Sequence, residues 1–78
     1  MNAAELAGKK FYSKYLVNTG NFNHVPKGAT LPIDVVSIHP DINELIVDWG
    51  SGAGDESWDL QHTLWAFERG EYSFKPFH

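Results

Sequence analysis

The chain has 78 residues, no cysteine, four prolines and seven glycines, and its net charge is −4 with the four histidines neutral. That length fits a single domain over residues 1–78, and the missing cysteines exclude a disulfide scaffold, a thiolate zinc site and a cysteine nucleophile. A hydrophobic share of 42% against 21% charged residues excludes a disordered chain.

The first residues, Met1 to Gly8, lack the basic start and apolar stretch of a secretory signal. No apolar run approaches the roughly 20 residues of a membrane span. The expected location is therefore the cytoplasm. Asn2, with Glu5 three places on and Gly8 beyond, predicts one short capped helical turn. The aromatic and β-branched run from Lys9 to Val17 predicts a first strand. Asn18 to Gly28 is dense in turn formers and reads as a long loop.

Ile33 to His39, bounded by Pro32 and Pro40, predicts a second strand. Its apolar residues at 33, 35, 36 and 38 slip by one position, which predicts a bulge between Val35 and Val36. Asp41-Ile42-Asn43 is a turn. Glu44 to Trp49 alternates cleanly, with Leu45, Val47 and Trp49 on one face and Glu44, Ile46 and Asp48 on the other. Gly50-Ser51-Gly52-Ala53-Gly54 reverses the chain into a fourth strand, Asp55 to Leu60. Asp59 is placed to cap a helix over Leu60 to Arg69, with Leu60, Leu64 and Phe67 on its apolar stripe and Gly70 as its stop. Glu71 to Phe74 supplies the last strand. The expectation is a mainly β fold, a five-stranded small barrel with a short helix before its last strand.

Several constellations resemble reactive sites without their geometry. The glycine segment at 50–54 is followed by Asp55-Glu56-Ser57-Trp58, a strand flanked by carboxylates, whereas a phosphate cradle needs a helix N-terminus there. His24, His39, His62 and His78 stand 15, 23 and 16 residues apart, which matches no metal-ligand spacing. Their protonation near pH 6 would bring the net charge from −4 to about zero. Asp48, Asp55, Glu56 and Asp59 form no calcium loop, and no nucleophile elbow is present. The chain reads as non-enzymatic, with no cofactor or metal.

Charge is distributed unevenly. Through Ile33 four lysines stand against one glutamate, a net of +3; from Asp34 onward nine acids stand against Arg69 and Lys75, a net of −7. An acidic chain does not bind nucleic acid directly, because that affinity comes from phosphate neutralisation. By strand parity Glu44 and Asp48 share the outward face of the third strand. Asp55 and Asp59 share the corresponding face of the fourth. Pairing through the glycine hairpin would set these like charges across from one another, a destabilising arrangement. Trp49 and Trp58 read as core residues, whereas Trp65, with Gln61 and Glu68, turns off the helix's apolar stripe as an exposed anchor.

The succession Ile33-Asp34-Val35-Val36-Ser37-Ile38, a turn, Leu45-Ile46-Val47-Asp48-Trp49-Gly50, then Ser57-Trp58-Asp59-Leu60 resembles SH3-like small barrels of the Tudor and KOW type over residues 8 to 75. In size, acidity and lack of cysteine the chain also resembles phage-encoded anti-CRISPR inhibitors. That likeness implies a protein partner, a cationic nucleic-acid-binding component of a host defence complex, met through Glu44, Asp48, Asp55, Glu56 and Asp59 with Trp65 as anchor. The barrel likeness implies instead an adapter domain that binds a peptide or methylated side chain through Tyr12, Tyr15, Phe22 and Trp49. A third reading is a structural subunit covered by oligomerisation. None of these involves a membrane partner.

Overall fold

The computed structural model describes residues 1–77, and His78, one of the four histidines considered above, lies outside them. Strands β1 (Lys10–Ser13), β2 (Ile33–His39), β3 (Glu44–Asp48), β4 (Glu56–Asp59) and β5 (Tyr72–Ser73) form one antiparallel sheet in the order β4-β3-β2-β1-β5. Helix α1 (Leu60–Glu68) joins β4 to β5, and 3-10 turns occupy Ala3–Leu6 and Pro40–Ile42. The strand order is compatible with an SH3-like fold. The barrel, however, is not closed: β4 and β5 are the two edges of the sheet. What links those edges is side-chain packing against the core, with the Trp58 and Tyr72 rings 6.5 Å apart, and not a ladder.

Local chemistry accounts for each element. The Asn2 N–H donates to the Glu5 carboxylate at 2.7 Å, which closes the first turn. The first strand is shorter than its composition suggests. The Ser13 hydroxyl accepts the Tyr15 N–H at 3.1 Å and turns the chain, leaving Val17 only an isolated bridge to Thr30. Lys10 and Phe11 pair with β2, whereas Tyr12 and Ser13 pair with β5. The expected bulge is present, because the β2–β3 register shifts between Val35 and Ser37 and leaves Val36 half exposed. The glycine segment connects β3 to β4, with positive φ at Gly50, Gly52 and Gly54.

The sheet buries one face only. Leu6, Phe11, Ile33, Val35, Leu45, Val47 and Leu60 form the core, and Trp49, Trp58, Leu64, Phe67 and Tyr72 pack around it. Phe11 is fully buried and central, with ring centroids at 6.3 Å from Trp58, 5.4 Å from Phe67 and 5.2 Å from Tyr72. It therefore ties β4, α1 and β5 to β1. Burial also raises the Tyr72 phenol above its ordinary value, aided by the Glu71 charge. The helix contributes Thr63 and Ala66 to the interior besides the leucines and phenylalanine of its stripe. The molecule is only 17 Å along its shortest axis, the thickness of one sheet and one helix.

Truncating Phe11 to Ala should cost about 3–5 kcal/mol, comparable with the whole stability of a domain this small. Urea unfolding should place Phe11→Leu well above Phe11→Ala; equal midpoints would show that the ring contacts do not organise the core.

Candidate functional site

Since α1 and the core occupy one side of the sheet, the other side carries what alternation leaves outward. In the β3–β4 ladder Glu44 lies directly opposite Asp59, and Ile46 opposite Ser57. In the β2–β3 ladder Asp34 lies opposite Asp48 and His39 opposite Glu44. Lys10 on β1 extends the row beside Asp34. Two carboxylate pairs thus share one face. Glu44 and Asp48 lie four steps apart along β3, about 13 Å at roughly 3.3 Å per residue, which exceeds the roughly 8 Å screening length at physiological salt.

Each carboxylate is oriented by a local bond. The Ser57 hydroxyl donates to Glu44 at 2.7 Å, and the Gly50 N–H donates to Asp48 at 3.0 Å. Asp59 caps α1, accepting the His62 N–H at 2.8 Å. Asn43, held in the left-handed region at φ 53°, completes that helix start: its side-chain oxygen accepts from Gln61 N–H and its carbonyl from Leu60 N–H. The His62 N–H above all, and Asn43 next, hold the Asp59 carboxyl below its ordinary value. Asp34 faces the Lys10 ammonium at 3.8 Å, an open pair with both side chains more than half exposed.

Other expected members lie elsewhere. Asp55 is exposed in the turn just before β4, outside the ladder. Glu56 pairs with Val47, which puts it on the core side of the sheet, where it accepts from the Trp58 indole at 3.3 Å and the Ser51 hydroxyl at 2.9 Å. Trp65 is 46% exposed, as its position off the stripe predicts, but it belongs to the helix on the opposite side. The Arg69 guanidinium stacks over it at 4.4 Å, with the His62 ring 5.4 Å away. Among the described residues no group of three or more acids and histidines is placed to hold a metal, and no helix is long and apolar enough to cross a membrane.

Sequence reasoning passed over Asp34, although it falls between the inward Ile33 and Val35 and so alternates outward. It also passed over the organisation of the long loop. Asn18 is buried there and donates to the carbonyls of Phe22 at 2.8 Å and Val25 at 2.9 Å, while its oxygen accepts the Gly20 N–H at 2.9 Å. The loop is thereby fixed with the Phe22 ring 6.2 Å from Trp49 and 5.9 Å from His24. Next to this contact the outward face opens into a shallow cleft of about 220 Å³, lined by Lys10, His24, Asp34, Asp48, Trp49 and Gly50 among others. Tyr12 and Tyr15 take no part in it.

Two outcomes follow from these bonds. Asn18→Ala should lower stability by about 1–3 kcal/mol, because it strands loop carbonyls and N–H groups, and should abolish the Phe22–Trp49 contact in NMR distance measurements. The Asp59 cap gives the second. Its folded state holds the proton less tightly than the unfolded chain, so its contribution is full above the ordinary value of 3.8 and is lost as pH falls through the lower folded value. Asp59→Ala should therefore reduce the melting temperature at pH 7 and leave it nearly unchanged at about pH 2.

No protein-family model, curated protein or solved structure matches the chain, which leaves side-chain geometry as the ground for a functional reading.

Proposed function

We propose that the chain is a non-enzymatic protein-binding module that presents the outward face of β2, β3 and β4 to a cationic surface on a partner. The observation that carries this reading is the register: Glu44 faces Asp59, and Asp34 faces Asp48, on the side of the sheet away from the core. Like charges across a ladder repel, and a lysine- or arginine-lined partner relieves that repulsion in two places at once. A groove built for nucleic acid supplies such a surface, since phosphates and carboxylates select the same side chains. In its specific form the reading is an inhibitor that occupies the nucleic-acid site of a host defence complex, as anti-CRISPR proteins do. The thinness of the molecule supports a surface role, because one sheet and one helix enclose little interior for a catalytic pocket.

A second reading has one observation in its favour. The Phe22–Trp49 contact beside the cleft would suit an adapter domain of SH3-like type that takes up a peptide through aromatics. The two readings differ in what removes binding.

Capture of partners from the native host by the immobilised chain should recover a nucleic-acid-processing complex. The Glu44→Lys, Asp59→Lys double variant should weaken that capture at least about tenfold, as should raising salt from about 0.05 to 0.5 M. Capture that ignores salt and charge reversal but is lost in Phe22→Ala would contradict the acidic-face reading and favour the adapter.

A further inference from the structure

The cleft beside Asp34 and Asp48 has a chemistry of its own. At about 220 Å³ it is smaller than the roughly 300–1,000 Å³ of small-molecule sites, and its size suits one side chain. Two carboxylates meet in it across the β2–β3 ladder, and Trp49 lines it. A cation already stands there: the Lys10 ammonium lies 3.8 Å from Asp34, with side chains 54% and 59% exposed, so the pair is loosely held and readily exchanged. A planar guanidinium matches this set better than an ammonium does. It binds carboxylates through a fork of donors and stacks on an indole, as Arg69 does on Trp65 elsewhere in this fold.

We propose that the cleft receives an arginine side chain of the partner, its guanidinium against Trp49 and between Asp34 and Asp48, in the place now held by the Lys10 ammonium. This rests on the acidic-face reading and gives it a specific contact. Lys10 then acts as a built-in competitor that offsets the Asp34 charge until the partner arrives. Its removal should strengthen binding, the opposite of what an anion site would show.

The test is NMR titration of the ¹⁵N-labelled full chain with N-acetyl-arginine amide, following the Trp49 indole N–H. Saturable shifts should centre on Lys10, Asp34, Asp48 and Trp49, and Lys10→Ala should tighten binding about two- to fivefold. Asp48→Asn keeps an oxygen for the Gly50 N–H, so the hairpin stays capped, and it should weaken binding at least about fivefold. Weaker binding in Lys10→Ala, equal shifts from N-acetyl-glutamate amide, or the same shifts from sodium chloride alone would overturn the proposal. Saturable arginine binding together with partner capture that ignores Glu44→Lys and Asp59→Lys would support the cleft and remove the Glu44–Asp59 pair from the binding face. Loss of capture in that variant with no response to arginine would do the reverse.

Discussion

Everything in this small fold depends on a core that has only one side of a sheet to work with. Phe11 stands at its centre, touching rings from β4, α1 and β5, and thereby fastens both edges of the sheet to the helix. Helix α1 and the first 3-10 turn are committed to that side through Leu60 and Leu6, and the other side is bordered by the long loop, whose His24 lines the cleft with Asp34 and Asp48. Alternation then decides which residues face outward. On β3 it is Glu44, Ile46 and Asp48, and the ladders bring Asp34 and Asp59 alongside them. The placement of these four carboxylates on one side is thus a direct geometric consequence of where the apolar residues went.

The acids on that face have structural work as well. Asp59 starts the helix, Asp48 holds the first residue of the hairpin, and Ser57 fixes Glu44. A carboxylate that accepts one such bond keeps its charge and loses rotational freedom, so its remaining lone pairs point in a fixed direction. These bonds account for each acid one at a time. They leave the two opposed pairs, Glu44 with Asp59 and Asp34 with Asp48, without a structural role as pairs.

Much of this was legible from residues alone. The inward set Leu45 and Val47, the slip at Val36, the Asp59 cap and the stop at Gly70 all follow from local rules that tertiary contacts left intact. That Glu44, Asp48 and Asp59 share a face also followed from parity and the hairpin, whereas Asp55, expected with them, falls in the turn before β4. Three things did not. The end of β1 depends on a serine hydroxyl catching a backbone N–H two residues on, a bond that competes with strand propensity. Closure of the sheet depends on whether β4 and β5 pair, a matter of tertiary packing that local residue patterns do not decide. Glu56 was grouped with its acidic neighbours by sequence proximity, but strand parity turns it to the core side, where it serves Trp58 and Ser51. The cleft was out of reach for a related reason, since it joins β1, β2, β3 and a loop whose shape is set by one buried asparagine.

The most direct measurement of the central claim is carboxyl footprinting of the full chain, free and bound to its captured partner, by carbodiimide coupling of glycine ethyl ester. Asp34, Glu44, Asp48 and Asp59 should lose labelling on binding while the exposed Glu5 and Glu68 do not. Protection centred on Glu68 and the helix, with the four sheet carboxylates labelled as in the free chain, would contradict it.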